Sequence, residues 1–171
     1  LSLHDALPIF MCATSSAQIK WNQSYQTYIN QYKDLAIEQM LRYRIPASIT
    51  LAQGLFESRA GQSDLARQGN NHFGIKCHNW TGPTQYHDDD ARGECFRVYQ
   101  DAKESYEDHS RFLAKQPRYS RLFSLNTTDY KGWAHGLKSC GYATNPQYAN
   151  KLIQIIELYR LQDYDKAKSY D

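Results

Sequence analysis

No run of about 18 apolar residues occurs in this chain, which excludes a transmembrane helix of the usual kind. An internal repeat and a low-complexity linker are also missing, so nothing divides the 171 residues into two domains. Charge of one sign is lacking too: 20 Lys and Arg face 18 Asp and Glu, leaving +2. That balance is too mild to imply a nucleic-acid partner, though it is compatible with a polyanionic polymer. Cysteine is sparse, at four. Cys77 and Cys95 bracket a loop-and-hairpin segment and suit a disulfide in an oxidising compartment. The alternative is a metal site of Cys77, His78, His87 and Cys95, whose spacing matches no familiar zinc pattern, so no metal or cofactor is expected. What the chain does have is aromatic: 14 Tyr and 3 Trp, rings suited to a groove that stacks on sugar or peptide faces as well as to a core.

The chain is organised around Pro46 to Lys76. Proline suits the first turn of a helix. The apolar residues Ile49, Leu51, Ala52, Leu55 and Phe56 then fall on too many sides for a surface helix, so this one is expected in the core. One polar stripe remains: Thr50, Gln53, Gly54, Glu57 and Gly61, spaced by three or four. A carboxylate on the only polar stripe of a core helix is costly unless it opens onto a cleft. Glu57 is therefore the candidate catalytic group, with Gly54 letting a ligand approach the backbone one turn earlier. The competing reading is an ordinary acid near a helix end, paired with Arg59 or Arg67.

Around this centre, Trp21 to Arg44 keeps a 3.6-residue apolar period and predicts a helix packed outside the Pro46 helix. Ser63 to Arg67 holds one helical turn in a Gly- and Asn-rich loop, pinned to the core by Phe73 and Ile75. Thr84 to Asp89 and Glu94 to Tyr99 flank a turn at Asp90 to Gly93 and predict a β-hairpin. If its second arm is regular, Cys95, Arg97 and Tyr99 face one way and Glu94, Phe96 and Val98 the other. Three helices follow: Ala102 to Lys115, ended by Pro117; one capped by Thr128 or Asp129 and stopped at Gly141; and one opened by Asn145-Pro146. Residues 18–163 form the single domain, 164–171 a frayed polar tail, and 1–17 a leader remnant or spurious start, with Ser15 and Ala17 placed for cleavage.

Three blocks carry a family resemblance: LAQGLFESRAGQSDLA with NNHFGIK, FRVY at Phe96 to Tyr99, and CGYATNPQYANKL at Cys140 to Leu152. In this order and spacing, from about Tyr28 to Leu161, the chain resembles the bacterial β-N-acetylglucosaminidase domain of glycoside hydrolase family 73. It is similar to the muramidase domain of flagellar wall hydrolases. The resemblance implies a mainly α, lysozyme-like fold with a small β-hairpin lobe beside the cleft. It also implies cleavage of peptidoglycan glycan strands after N-acetylglucosamine, and action in the periplasm or outside the cell is expected; a monomer is expected, though nothing in the residues fixes the oligomeric state.

It places the general acid at Glu57, where Leu55 and Phe56 supply the apolar surround that keeps a carboxyl protonated. A second acid is expected on the first hairpin arm, at Asp88 or Asp89, with Glu94 a third candidate; a solvated acidic turn opposite Arg92 and Arg97 is the alternative. Tyr142 matches a cleft tyrosine, while Tyr148 is expected mainly to pack the last helix. Gln53 lies on the Glu57 stripe, Asn70, Asn71 and Phe73 shape one wall of the groove, and Trp80 offers a stacking platform or local core. Two other functions stay open: a lysozyme or lytic transglycosylase cutting the other bond of the polymer, and a wall-binding module without activity.

Overall fold

The computed structural model describes residues 17–89 and 91–169. The expected leader up to residue 16, with Ser15 and Cys12, lies outside the described residues, as does Asp90 of the hairpin turn. Helix α1 (Gln23–Tyr43) starts at Asn22, whose side chain accepts from the Tyr25 N–H, and it buries Tyr28, Ile29, Ala36, Ile37 and Met40. Helix α2 (Ala47–Ser58) follows directly on Pro46, and ten of its 12 residues are buried. With no solvent face, it forms the centre of the domain.

A buried helix start leaves N–H groups that need acceptors, and α2 has no capping side chain of its own. Asp165 supplies one from the far end of the chain, accepting from Ser48 N at 2.8 Å and Ser48 Oγ at 2.6 Å. Asp165 is buried in a 3-10 helix, Leu161–Lys166. The tail expected to fray after residue 163 is thus corrected: its first turn completes the central helix.

Helix α3 (Asp64–Gly69) is capped by the Ser63 side chain. Strands β1 (Thr84–His87) and β2 (Glu94–Arg97) pair antiparallel, with Thr84 opposite Arg97 and His87 opposite Glu94. The hairpin is two residues shorter on each arm than expected. The Asp88 carboxylate accepts from Gly93 N at 2.7 Å and closes the turn early, while the Tyr99 N–H leaves the ladder for Gly69 O. The expected alternation also gives way, because Phe96 and Arg97 are both buried. Arg97 achieves this by donating to Asp108 at 2.9 Å and lying over the Trp80 ring. Cys77 and Cys95 form the disulfide, so the alternative zinc set has lost both its sulfurs.

Helix α4 (Ala102–Lys115) is followed by an unforeseen 3-10 helix, Pro117–Ser124; Asp129 then caps α5 (Tyr130–Ser139), and α6 (Tyr148–Leu158) closes the bundle. The result is mainly α and lysozyme-like, with the hairpin standing to one side of α2. Among the described residues no helix is long and apolar enough to cross a membrane.

Candidate active site

Glu57 occupies the last turn of α2, and the chain is forced to turn immediately after it. Arg59, Ala60 and Gly61 all adopt positive φ, at 49°, 56° and 80°. Two consecutive non-glycine residues in that region cost roughly 1–2 kcal/mol each. Ser58 holds the turn, its hydroxyl donating to Gly54 O at 2.5 Å and accepting from Gly61 N at 2.8 Å. The sharp stop leaves Glu57 at the mouth of a cavity of about 450 Å³, whose lining includes Phe73, Gly74, Asp89, Arg118, Tyr142 and Tyr148. The groove continues past Glu57 towards Arg59, Asp64 and His87 on one side, and past Arg118 towards His78 and Gln116 on the other.

Burial pushes the Glu57 carboxyl up to about 7, the Tyr148 hydroxyl opposes that rise, and the negative charge of Asp89 adds to it. The negative end of the α2 dipole acts in the same sense as burial. Among the described residues no arginine forms an ion pair with Glu57, so the competing reading of a salt-bridged surface acid fails for Arg59 and Arg67. Behind Tyr148 runs a buried file of polar groups. Gln53 Nε2 donates to the Tyr148 hydroxyl at 3.0 Å, and Gln53 Oε1 lies 2.8 Å from His109 Nε2. Burial lowers His109 to about 3, so its imidazole is neutral. Phe73 stacks on that imidazole with centroids 3.9 Å apart.

The residues expected at the site divide into three groups. Glu57, Asp89, Tyr142, Tyr148 and Phe73 line one cavity, with Tyr142 stacked on Tyr148 at 5.8 Å. Tyr148 therefore does more than pack its helix. A second group is structural. Gln53 is fully buried and reaches Glu57 only through Tyr148. Asn71 donates to Ile75 O and Arg97 O and accepts from Ile75 N, which ties the Phe73–Gly74 loop to β2. Asn70 ends α3 and donates to Tyr99 O. The third group does not line this cavity, though Asp88 borders the adjoining stretch of groove beside Glu57. Asp88 is engaged by Gly93, Glu94 by Lys76 at 3.2 Å, and the Trp80 indole by Pro83 O, Tyr99 and Arg97.

Gly54 is corrected outright. A Cβ there would stand 2.6 Å from the Tyr28 hydroxyl and 3.0 Å from that of Tyr106, so the missing side chain admits two phenols and no ligand. Sequence reasoning missed Gly74, where an added Cβ would lie 3.8 Å from Glu57 Oε2 at a positive φ of 64°. It also gave His109 no role at the site; a titratable ring on the apolar face of α4 was the available signal.

A carboxyl raised by an apolar wall, with a second carboxylate on the same groove of a helical domain, is an arrangement suited to acid catalysis of the glycosidase type. The chain belongs to the glucosaminidase family, glycoside hydrolase family 73: the family model described as mannosyl-glycoprotein endo-beta-N-acetylglucosaminidase matches residues 33–161. Exo-glucosaminidase LytG of Bacillus subtilis is 32% identical over 94% of this chain and 63% of its own length. Peptidoglycan hydrolase FlgJ of Vibrio cholerae is 31% identical over 84% of this chain and 45% of its own. The chain thus spans less than two thirds of these curated relatives. Among solved structures, the catalytic domain of the autolysin Auto from Listeria monocytogenes superposes with a TM-score of 0.70 at 30% identity, over 86% of this chain and 91% of that one.

Proposed function

We propose that this chain hydrolyses peptidoglycan at the β-1,4 bond between N-acetylglucosamine and N-acetylmuramic acid, with Glu57 as general acid. The observation that carries the acid assignment is the burial of Glu57 on the open cleft, which keeps its carboxyl up to about 7. At neutral pH a fraction of the molecules then holds a proton for the glycosidic oxygen. Asp89 faces the same cavity from the hairpin, where its negative charge steadies the oxocarbenium-like transition state. Tyr142 and Tyr148, both kept protonated by burial, give the sugar's acetamido and hydroxyl groups fixed partners. The groove runs past Glu57 in both directions, which favours cutting within a strand over trimming its end. Arg118 on the cleft suits a polymer that bears carboxylates. The disulfide suits an oxidising compartment and hence action outside the cytoplasm.

The test is mass spectrometry of borohydride-reduced fragments from purified peptidoglycan, for the wild type and Glu57→Gln together. N-acetylglucosaminitol ends that vanish in the variant support both the bond and the acid. Muramitol or anhydro-muramoyl ends point to a lysozyme or lytic transglycosylase instead, and no fragments from either protein point to a wall-binding module.

A further inference from the structure

The hydrogen-bonded file behind Glu57 has a direction, and the direction is set by its far end. His109 is fully buried, its Nε2 meets Gln53 Oε1 at 2.8 Å, and its Nδ1 has no partner. A proton on Nδ1 would bury a donor with nothing to receive it, whereas a proton on Nε2 leaves only a lone pair unmatched and satisfies Gln53. With Nε2 as donor, Gln53 must accept through Oε1 and donate through Nε2. The Tyr148 oxygen then accepts from Gln53 at 3.0 Å, and its hydrogen is free to turn to Glu57, which lines the same cavity and whose acidity the Tyr148 hydroxyl affects. Phe73 closes one face of the His109 ring, and neutral His109 brings no charge of its own.

We propose that Gln53 and His109 are positioning residues that fix the Tyr148 hydroxyl as a donor to the Glu57 carboxyl and thereby set the acidity of that group. Neither touches the cleft. The proposal rests on Glu57 being the acid, but its central claim concerns the titration of Glu57 and is measurable without turnover. The other titratable groups around the cleft are Tyr142 beside α6, Arg118 and Tyr119 after α4, Asp88, Asp89 and His87 on the hairpin, Lys76 and His78 beside the disulfide, Arg59 after α2 and Asp64 at the start of α3. None of these is altered by the substitutions below.

The experiment follows the Glu57 carboxyl carbon by NMR across pH, in parallel with the alkaline limb of kcat/KM, for the wild type, Tyr148→Phe, His109→Phe and the double variant. Phenylalanine keeps the stack on Phe73 while removing both ring nitrogens. Losing the donor destabilises the carboxylate, so Tyr148→Phe is expected to raise the Glu57 midpoint by about one pH unit. His109→Phe moves it the same way by roughly half as much, because Gln53 is then free to invert and accept from Tyr148. In the double variant the His109 change adds nothing beyond Tyr148→Phe, since it acts only through that hydroxyl. His109→Gln, whose amide can donate to Gln53 Oε1, brings the midpoint back. If His109→Phe does not fold, Gln53→Met serves the same comparison. An unmoved midpoint in His109→Phe, or a shift that adds in full to that of Tyr148→Phe, overturns the proposal. A Glu57→Gln variant that still cleaves would sink the assignment of Glu57 as acid while leaving the midpoint result standing.

Discussion

The two walls of the cleft are built on opposite principles. The helical wall, from α2, α4 and α6, is buried and internally bonded: Tyr148, Gln53 and His109 form a hydrogen-bonded file, and Tyr148 lines the cavity beside Glu57. The hairpin wall is small and wet: Asp88 and Asp89 are exposed, and the lobe is held on by one disulfide and the Arg97–Asp108 and Lys76–Glu94 pairs. The difference matches the roles proposed for the two walls. A group that hands over a proton at neutral pH needs an apolar surround to keep that proton. A group that only presents negative charge needs no burial.

The comparison breaks most sharply at Glu57. Glu57→Gln is expected to lower kcat by about 10³-fold or more, measured as release of reducing ends. With Glu57 as the proposed acid, activity is expected to fall as pH rises through about 7, the value to which burial pushes the carboxyl.

On the hairpin the two neighbouring aspartates are expected to separate. Asp89→Asn is expected to cost about 10- to 100-fold in kcat, with the alkaline limb moved down because a charge that raises Glu57 is gone. Asp88→Asn, which keeps an oxygen for the Gly93 N–H, is expected to change kcat by less than about threefold. Equal losses at the two positions would mean that the exposed wall does not discriminate between them.

The tether comes next. Replacing Cys77 and Cys95 together by serine is expected to lower unfolding free energy in urea by about 3 kcal/mol, given the short loop the bond closes. The helical wall does not depend on that bond, so the Glu57 midpoint is expected to stay in place.

The smallest effect has the opposite sign. Between about pH 4.5 and 7 the folded chain holds a proton on Glu57 that the unfolded chain has released, so this group's contribution to stability falls as pH rises through that window. Glu57→Gln is therefore expected to match the wild type near pH 4 and to melt a few degrees higher above pH 7 in calorimetry.

Much of the fold is readable along the chain because it rests on local rules. The apolar period of α1, the limits of Ala102–Lys115 before Pro117, and the caps at Ser63 and Asp129 each follow from residues within one or two turns. The Asp165 cap on α2 does not, because its two halves are 117 positions apart. For the same reason the tail was misjudged: a polar hexapeptide carries no mark of the helix end it will satisfy.

At the candidate site, spacing along α2 singled out Glu57, since one carboxylate on a core helix is costly unless it faces a cleft. The same spacing put Gln53 and Gly54 on that face, and the fold gave them other neighbours. Tyr28 and Tyr106 fill the space beside Gly54, and Tyr148 and His109 take up the Gln53 amide. The sequence by itself determined the helices, the hairpin and the cysteine pair, and it singled out Glu57 as the candidate acid. Only the tertiary structure brought Asp89 into one cavity with Glu57 and set Gln53 and His109 in a file behind Tyr148. Those are questions of packing between segments, where a distance of a few ångströms separates residues up to 95 positions apart.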